Sequence, residues 1–226
     1  MKNRPRRTFN LVFIMVAIGY PVLFCILLNI SGSLNQTYDP IRQSISVLAL
    51  GTSGWLHITN MLLSGIAIFC FALALHLDIG SYKGSRLVLT FLLIMGLGDI
   101  VGAIFMTDLP DQTISLHGFL HQVGTGTAIS MFPIAAIILW YVLKPDLKWH
   151  KFSIYTLVSG IVVMGLEIGR QVSVPTHWLD PIFGLYVRIL LAVLFLWIEV
   201  ISINLLVAFR ARYIKTSTLP IRENNP

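Results

Sequence analysis

Charge is what this chain has least of. Only 12% of its 226 residues are Asp, Glu, Lys or Arg, while 56% are hydrophobic; an ordinary soluble domain carries about 25% charged residues. That shortage excludes water as the main solvent of the folded chain and points to lipid, as does a mean hydropathy of +0.80. Cysteine is nearly missing as well. Cys25 and Cys70 have no Cys-x-x-Cys spacing and no loop position, which argues against a disulfide framework or a cysteine zinc site. Both are expected to be buried structural thiols. Low-complexity stretches and internal repeats are absent. The net charge of +6 does not suggest nucleic acid, because the bases sit in short clusters beside apolar runs, not along a stripe.

What is there is apolar sequence, in six long runs at Phe9–Ile30, Trp55–Leu77, Leu87–Met106, Gly118–Leu143, Phe152–Ile168 and Phe183–Phe209. A bilayer-spanning helix needs roughly 20 such residues, and the fifth run is the shortest. The pattern predicts an all-α, polytopic integral membrane bundle of six transmembrane helices. It would consist of a basic cytoplasmic N-terminus (1–8), a six-helix membrane domain (9–210) and a cytoplasmic tail (211–226), with no separate soluble domain. The first run exceeds the roughly 7–15-residue core of a signal peptide and no Ala-x-Ala-like site follows it, so it is expected to stay as a span. Pro21 inside it predicts a kink, not a break. Tyr20, Trp55, Trp140, Tyr141, Trp178 and Tyr186 fall where interfacial anchors belong.

The connections alternate in charge. Lys2, Arg4, Arg6, Arg7, Lys83, Arg86, Lys144, Lys148, Lys151, Arg210, Arg212, Lys215 and Arg222 fall on one side, against Arg42 and Arg170 on the other. The positive-inside rule then places both termini in the cytoplasm and makes the first, third and fifth loops outward-facing. Asp39, Arg42, His57, Asp108, His117, His121, Glu167, Arg170, His177, Asp180 and Arg188 all gather near that outward side. In the first outer loop, Asp39-Pro40 reads as an N-cap followed by a first-turn proline. Ile41, Ile45 and Leu48 continue it as one apolar stripe. A short amphipathic helix ending near Gly51 is expected there, on the surface or tucked over the bundle.

Several constellations can carry chemistry. His117 and His121 are four apart at the start of the fourth span, so they share a helix face, and Asp108 closes the third span just before them. Two imidazoles and a carboxylate make a candidate divalent-metal half-site, a proton relay, or a set of headgroup-level hydrogen bonds. With His57 opening the second span on the same side and Ser44 and Ser46 in loop one, the same residues would suit a metal-dependent hydrolase. Glu167 and Arg170 have the spacing of an ion pair. Arg188 needs a partner, Glu167 or Asp180, unless it and Arg170 bind an anionic headgroup or substrate. Asp99 lies roughly 13 Å along its helix from Asp108, and Glu199 is deep in the sixth span; these two acids suit proton or cation coupling, or neutral interhelical hydrogen bonds.

Tyr38-Asp-Pro-Ile-Arg-Gln-Ser-Ile-Ser46, Gly54-Trp55, Thr107-Asp108 and His117-Gly-Phe-Leu-His121 together resemble a six-span prokaryotic membrane family catalogued as domain of unknown function 998. The resemblance covers the first span through the sixth. Members often carry Pro-Thr-Asp where this chain has Met106-Thr-Asp, and an acid where it has Val47. The resemblance implies a fold and a cytoplasmic-membrane location but no activity. It directs attention to Asp39, Arg42, Ser44, Ser46, Asp108, His117 and His121. Three function classes therefore stand open: a sensor or a lipid- or headgroup-binding protein with membrane lipids as partners, a hydrolase using His117, His121 and Asp108, and a transporter coupled through Asp99 and Glu199.

Overall fold

A computed structural model describes residues 4–109 and 112–217. Residues 1–3, Pro110, Asp111 and residues 218–226 lie outside the described residues, and with them much of the expected basic tail. Six α-helices follow one another: α1 (Arg4–Leu34), α2 (Gly54–Ile79), α3 (Ser85–Ile104), α4 (Leu116–Leu143), α5 (His150–Thr176) and α6 (Phe183–Ser217). All six are long and apolar enough to cross a membrane, and no strand occurs among the described residues. The fold is a helical multi-pass membrane protein. Helices are the expected answer for apolar runs in lipid, since each satisfies its own backbone polar groups.

Small residues decide which helices approach closely. A Cβ on Gly65 of α2 would come within 2.6 Å of the Gly96 carbonyl of α3. One on Gly98 would come within 2.6 Å of the Gly124 carbonyl of α4. Backbones therefore touch along α2–α3–α4, the small-residue packing that membrane helices use. Between α1 and α6 the contact is aromatic, with Phe24 and Phe195 at 4.6 Å between ring centroids, and a groove opens there.

Six spans put the start of α1 and the end of α6 at one end, the termini end. That end is tied by polar contacts. Asp78, whose side chain is 6% exposed, pairs with Arg212 of α6 and with Lys148 of the α4–α5 loop at 3.6 Å. Tyr82 donates a hydrogen bond to Asp146.

Three expectations need correction. The fifth span does not stop at Ile168; α5 runs on to Thr176 because Arg170 and Glu167 neutralise each other on its face at 2.7 Å. Loop one is not one amphipathic helix. Residues Asp39 to Gln43 make a single turn closed by Gln43 N–H to the Asp39 carbonyl at 2.8 Å. Ser44, at ψ 146°, then breaks it, and a 3₁₀ helix spans Ile45–Leu50. Ile45 and Leu48 are buried in the bundle while Ile41 is exposed, so the apolar stripe divides at that break. Finally, Cys25 is exposed and Cys70 half-buried, both as free thiols; each lies on a helix flank, not in the core.

Candidate functional site at the mouth of the bundle

The end opposite the termini, the mouth, carries the candidate residues, but they separate into three places. The first is the α3–α4 turn. Asp108 accepts hydrogen bonds from Ser115 Oγ–H at 2.6 Å and from Ser115 N–H at 2.8 Å. Ser115 in turn caps α4 by accepting from Gly118 N–H at 3.1 Å. A Cβ at position 118 would overlap the Asp108 carboxylate, which gives the glycine in His117-Gly-Phe-Leu-His121 its physical reason. The Ser115 hydroxyl and amide hold the Asp108 carboxyl below the usual carboxylate range, helped by nearby His117 and His121.

The two histidines take different surroundings. His117 is exposed, its ring edge-on to Phe105 at 5.5 Å. His121 is buried, and its Nδ1 lies 2.7 Å from the Gly102 carbonyl and 2.9 Å from that of Phe105. Two carbonyl acceptors make Nδ1 a protonated, donating nitrogen. His57, 1% exposed in the first turn of α2, has no hydrogen-bond partner on either ring nitrogen and lies near His121 and Arg188. Among the described residues no group of three or more His, Cys, Asp and Glu side chains gathers as a metal site would.

The second place is the groove between α1 and α6, about 820 Å³ in volume. Its walls are apolar, including Phe24, Leu28, Leu191 and Leu196, and its polar lining includes Tyr38 and Arg188 at one end and Glu199 deeper down. Eleven residues of helix separate Arg188 from Glu199, roughly 16 Å. Arg188 does not meet Glu167 or Asp180. Glu167 accepts from Arg170 and Gln171, and Asp180 pairs with His177 at 3.2 Å. Instead Arg188 donates to three neutral oxygens: Pro40 O at 2.7 Å, Gly184 O at 3.0 Å and Tyr38 Oη at 2.6 Å. A guanidinium has five N–H donors, so its Nε–H and one Nη2–H reach no described residue. Burial pushes the Tyr38 phenol up, and the Arg188 charge pulls against it.

The third place is an inner cavity of about 90 Å³ beneath the 3₁₀ helix, touched by Ser44, Ser46, Ser64, Asp99, Thr125 and Arg170. Ser64 donates to Asp99 at 2.5 Å. Phe24, Leu191 and Phe195 line both this cavity and the groove.

Asp39 and Arg42 join neither space. Asp39 caps its own turn, accepting from Ile41 N–H at 2.9 Å and Arg42 N–H at 3.3 Å. The Arg42 side chain is 72% exposed and only loosely near Asp39, at 3.9 Å. The structure adds Tyr38, Ser64 and Thr125 to the polar lining. Only Tyr38 had a sequence signal, its place directly before Asp39-Pro40.

The profile of the family described as a protein of unknown function, DUF998, matches residues 17–204. The chain belongs to the DUF998 family. That match spans all three places of this DUF998 protein, from the groove through the cavity to the α3–α4 turn. No curated protein and no solved structure matches the chain.

Proposed function

We propose that this DUF998 protein binds an anionic membrane amphiphile in the α1–α6 groove, with the charged head at Arg188 and the apolar tail along Phe24, Leu28 and Leu191. One observation carries the reading: Arg188 is a permanent cation at the polar end of an apolar groove, and no described carboxylate neutralises it. An unpaired guanidinium at this depth is costly, and its planar fork suits a phosphate or carboxylate bidentately. The basic loops at the termini end support termini in the cytoplasm and a groove head in the outer leaflet of the cytoplasmic membrane. A divalent metal at Asp108, His117 and His121 has less support, because both Asp108 oxygens are already bonded to Ser115.

The test is lipid retention. Purified protein should keep phosphatidylglycerol in preference to phosphatidylcholine through detergent washing, as read by native mass spectrometry. Arg188→Gln should abolish the preference, and Ala192→Phe, which fills the groove wall, should lower retention of both lipids. Wild-type preference persisting in Arg188→Gln, or undiminished retention in Ala192→Phe, would overturn the proposal.

A further inference from the structure

The inner cavity raises a separate question, because its polar space stops abruptly. A volume of about 90 Å³ has room for several waters at roughly 10–15 Å³ each. Toward the mouth it is lined by Ser44, Ile45 and Ser46, the cap and first residues of the 3₁₀ helix. Toward the termini it meets an apolar layer. Phe71 lies seven residues past Ser64 on α2, Leu92 seven before Asp99 on α3, and Phe132 seven past Thr125 on α4. On these antiparallel helices all three offsets run the same way, about 10 Å toward the termini. Phe71 and Phe132 pack against Trp197 of α6 at 5.1 and 4.8 Å, and these four side chains have no solvent exposure. A continuous wet path to the termini end, which a transporter would need, is closed in this conformation.

Asp99 faces this dead-end space with one oxygen bonded to Ser64 and no described hydrogen bond on Oδ1. The groups packed around it do not supply a counter-charge. On α1, Tyr20 donates to the Asn60 carbonyl at 2.6 Å, and Cys25 lines the groove. α2 offers the Ser64 hydroxyl, the Thr125 hydroxyl of α4 donates to the His121 carbonyl at 2.9 Å, and the loop brings Ser44 and Ser46. α6 presents only Val187, Leu191, Phe195 and Phe183, and Arg170 of α5 is committed to Glu167. A bare carboxylate at this depth is expensive.

We propose that Asp99 is a proton-binding site loaded from the mouth end alone. A hydronium entering past the 3₁₀ helix gives its proton to Oδ1 and stays as cavity water, while Oδ2 keeps the Ser64 bond. The apolar layer of Phe71, Leu92, Phe132 and Trp197 blocks release to the other end. Phe24, Leu191 and Phe195 border both spaces, but Arg188 lines only the groove and Asp99 only the cavity, so lipid preference read at Arg188 and proton loading read at Asp99 are separable tests.

Infrared spectroscopy of the protein in vesicles, with pH changed on one side at a time, tests this. A protonated-carboxyl band should appear at low pH on the mouth side, vanish in Asp99→Asn, and persist at a shifted frequency in Asp99→Glu. The isosteric Asn variant should keep its helical spectrum. No Asp99-dependent band at any pH would overturn the proposal. So would a band controlled from the termini side, or one abolished at fixed pH when sodium replaces choline.

Discussion

Asp78 at the termini end and Arg188 at the mouth are both charged side chains set against a helix bundle, and their surroundings differ in kind. Asp78 is 6% exposed and gathers two cations, Lys148 and Arg212, from two other parts of the chain. Arg188 gathers only neutral oxygens from loop one and its own helix. Beside Asp78, Tyr82 and Asp146 close on each other; beside Arg188, His57 keeps two buried nitrogens without partners. A paired network holds elements in place, whereas polar groups left open are available to a ligand. The termini end is thus the paired one, and the mouth keeps the open polar groups that the proposed binding would use.

That division is breakable by mutation. Asp78→Ala should have the largest effect on folding, a loss of about 1–2 kcal/mol once the partial exposure of both cations is discounted. Reversible unfolding in mixed micelles would read it. Arg188→Gln should cost less than about 1 kcal/mol, because the oxygens it leaves at the mouth can take water instead, while lipid preference is lost. Equal stability losses at the two positions would erase the contrast. A smaller effect, and one of changing sign, is expected at the α3–α4 turn. Gly118→Ala pushes the Asp108 carboxylate off Ser115 and should destabilise the protein modestly. In an Asp108→Ala background the same change meets no carboxylate and should stabilise by about 0.5–1 kcal/mol, the helix preference of Ala over Gly. The same sign in both backgrounds would refute the role given to Gly118.

These particulars show what was readable in advance. The six spans were legible because a helix in lipid declares itself through continuous apolar length, and the i, i+3 spacing of Glu167 and Arg170 announced their pair. The end of α5 was not legible, because that same pair removes the charge that makes the run look finished. Loop one misled for a related reason. Ile41, Ile45 and Leu48 have helical spacing, but the break at Ser44 sends Ile41 outward and Ile45 inward. The groove and the Ser64–Asp99 contact join residues from distant helices, and no local pattern encodes which spans become neighbours. Asp39, Arg42 and His117 drew attention by residue type, yet their side chains serve their own turns or face outward.

pH separates the two ends most finely. Asp108 at the mouth and Asp146 at the termini end are both held below the ordinary carboxylate range, the first by Ser115 and the second by Tyr82 and the Lys148 amide. Each contributes its stabilisation in full above the unfolded carboxylate value, about 3.9, and loses it as pH falls through the lower folded value. Acid should therefore loosen both loops. Alkali should not act alike on them. The partner of Asp146 titrates, and its hydrogen bond to that carboxylate pushes the Tyr82 phenol up. Its contribution is complete below the unfolded tyrosine value of about 10 and is lost as pH rises through the higher folded one. Ser115 has no such proton to lose. Amide hydrogen exchange, corrected for intrinsic rate, should show faster opening of the α4–α5 loop above pH 10 with the α3–α4 turn unchanged. Tyr82→Phe should remove that alkaline step and leave the acid response of the Asp108 turn intact, so loosening of both loops together in alkali would mean that the two ends are not independent.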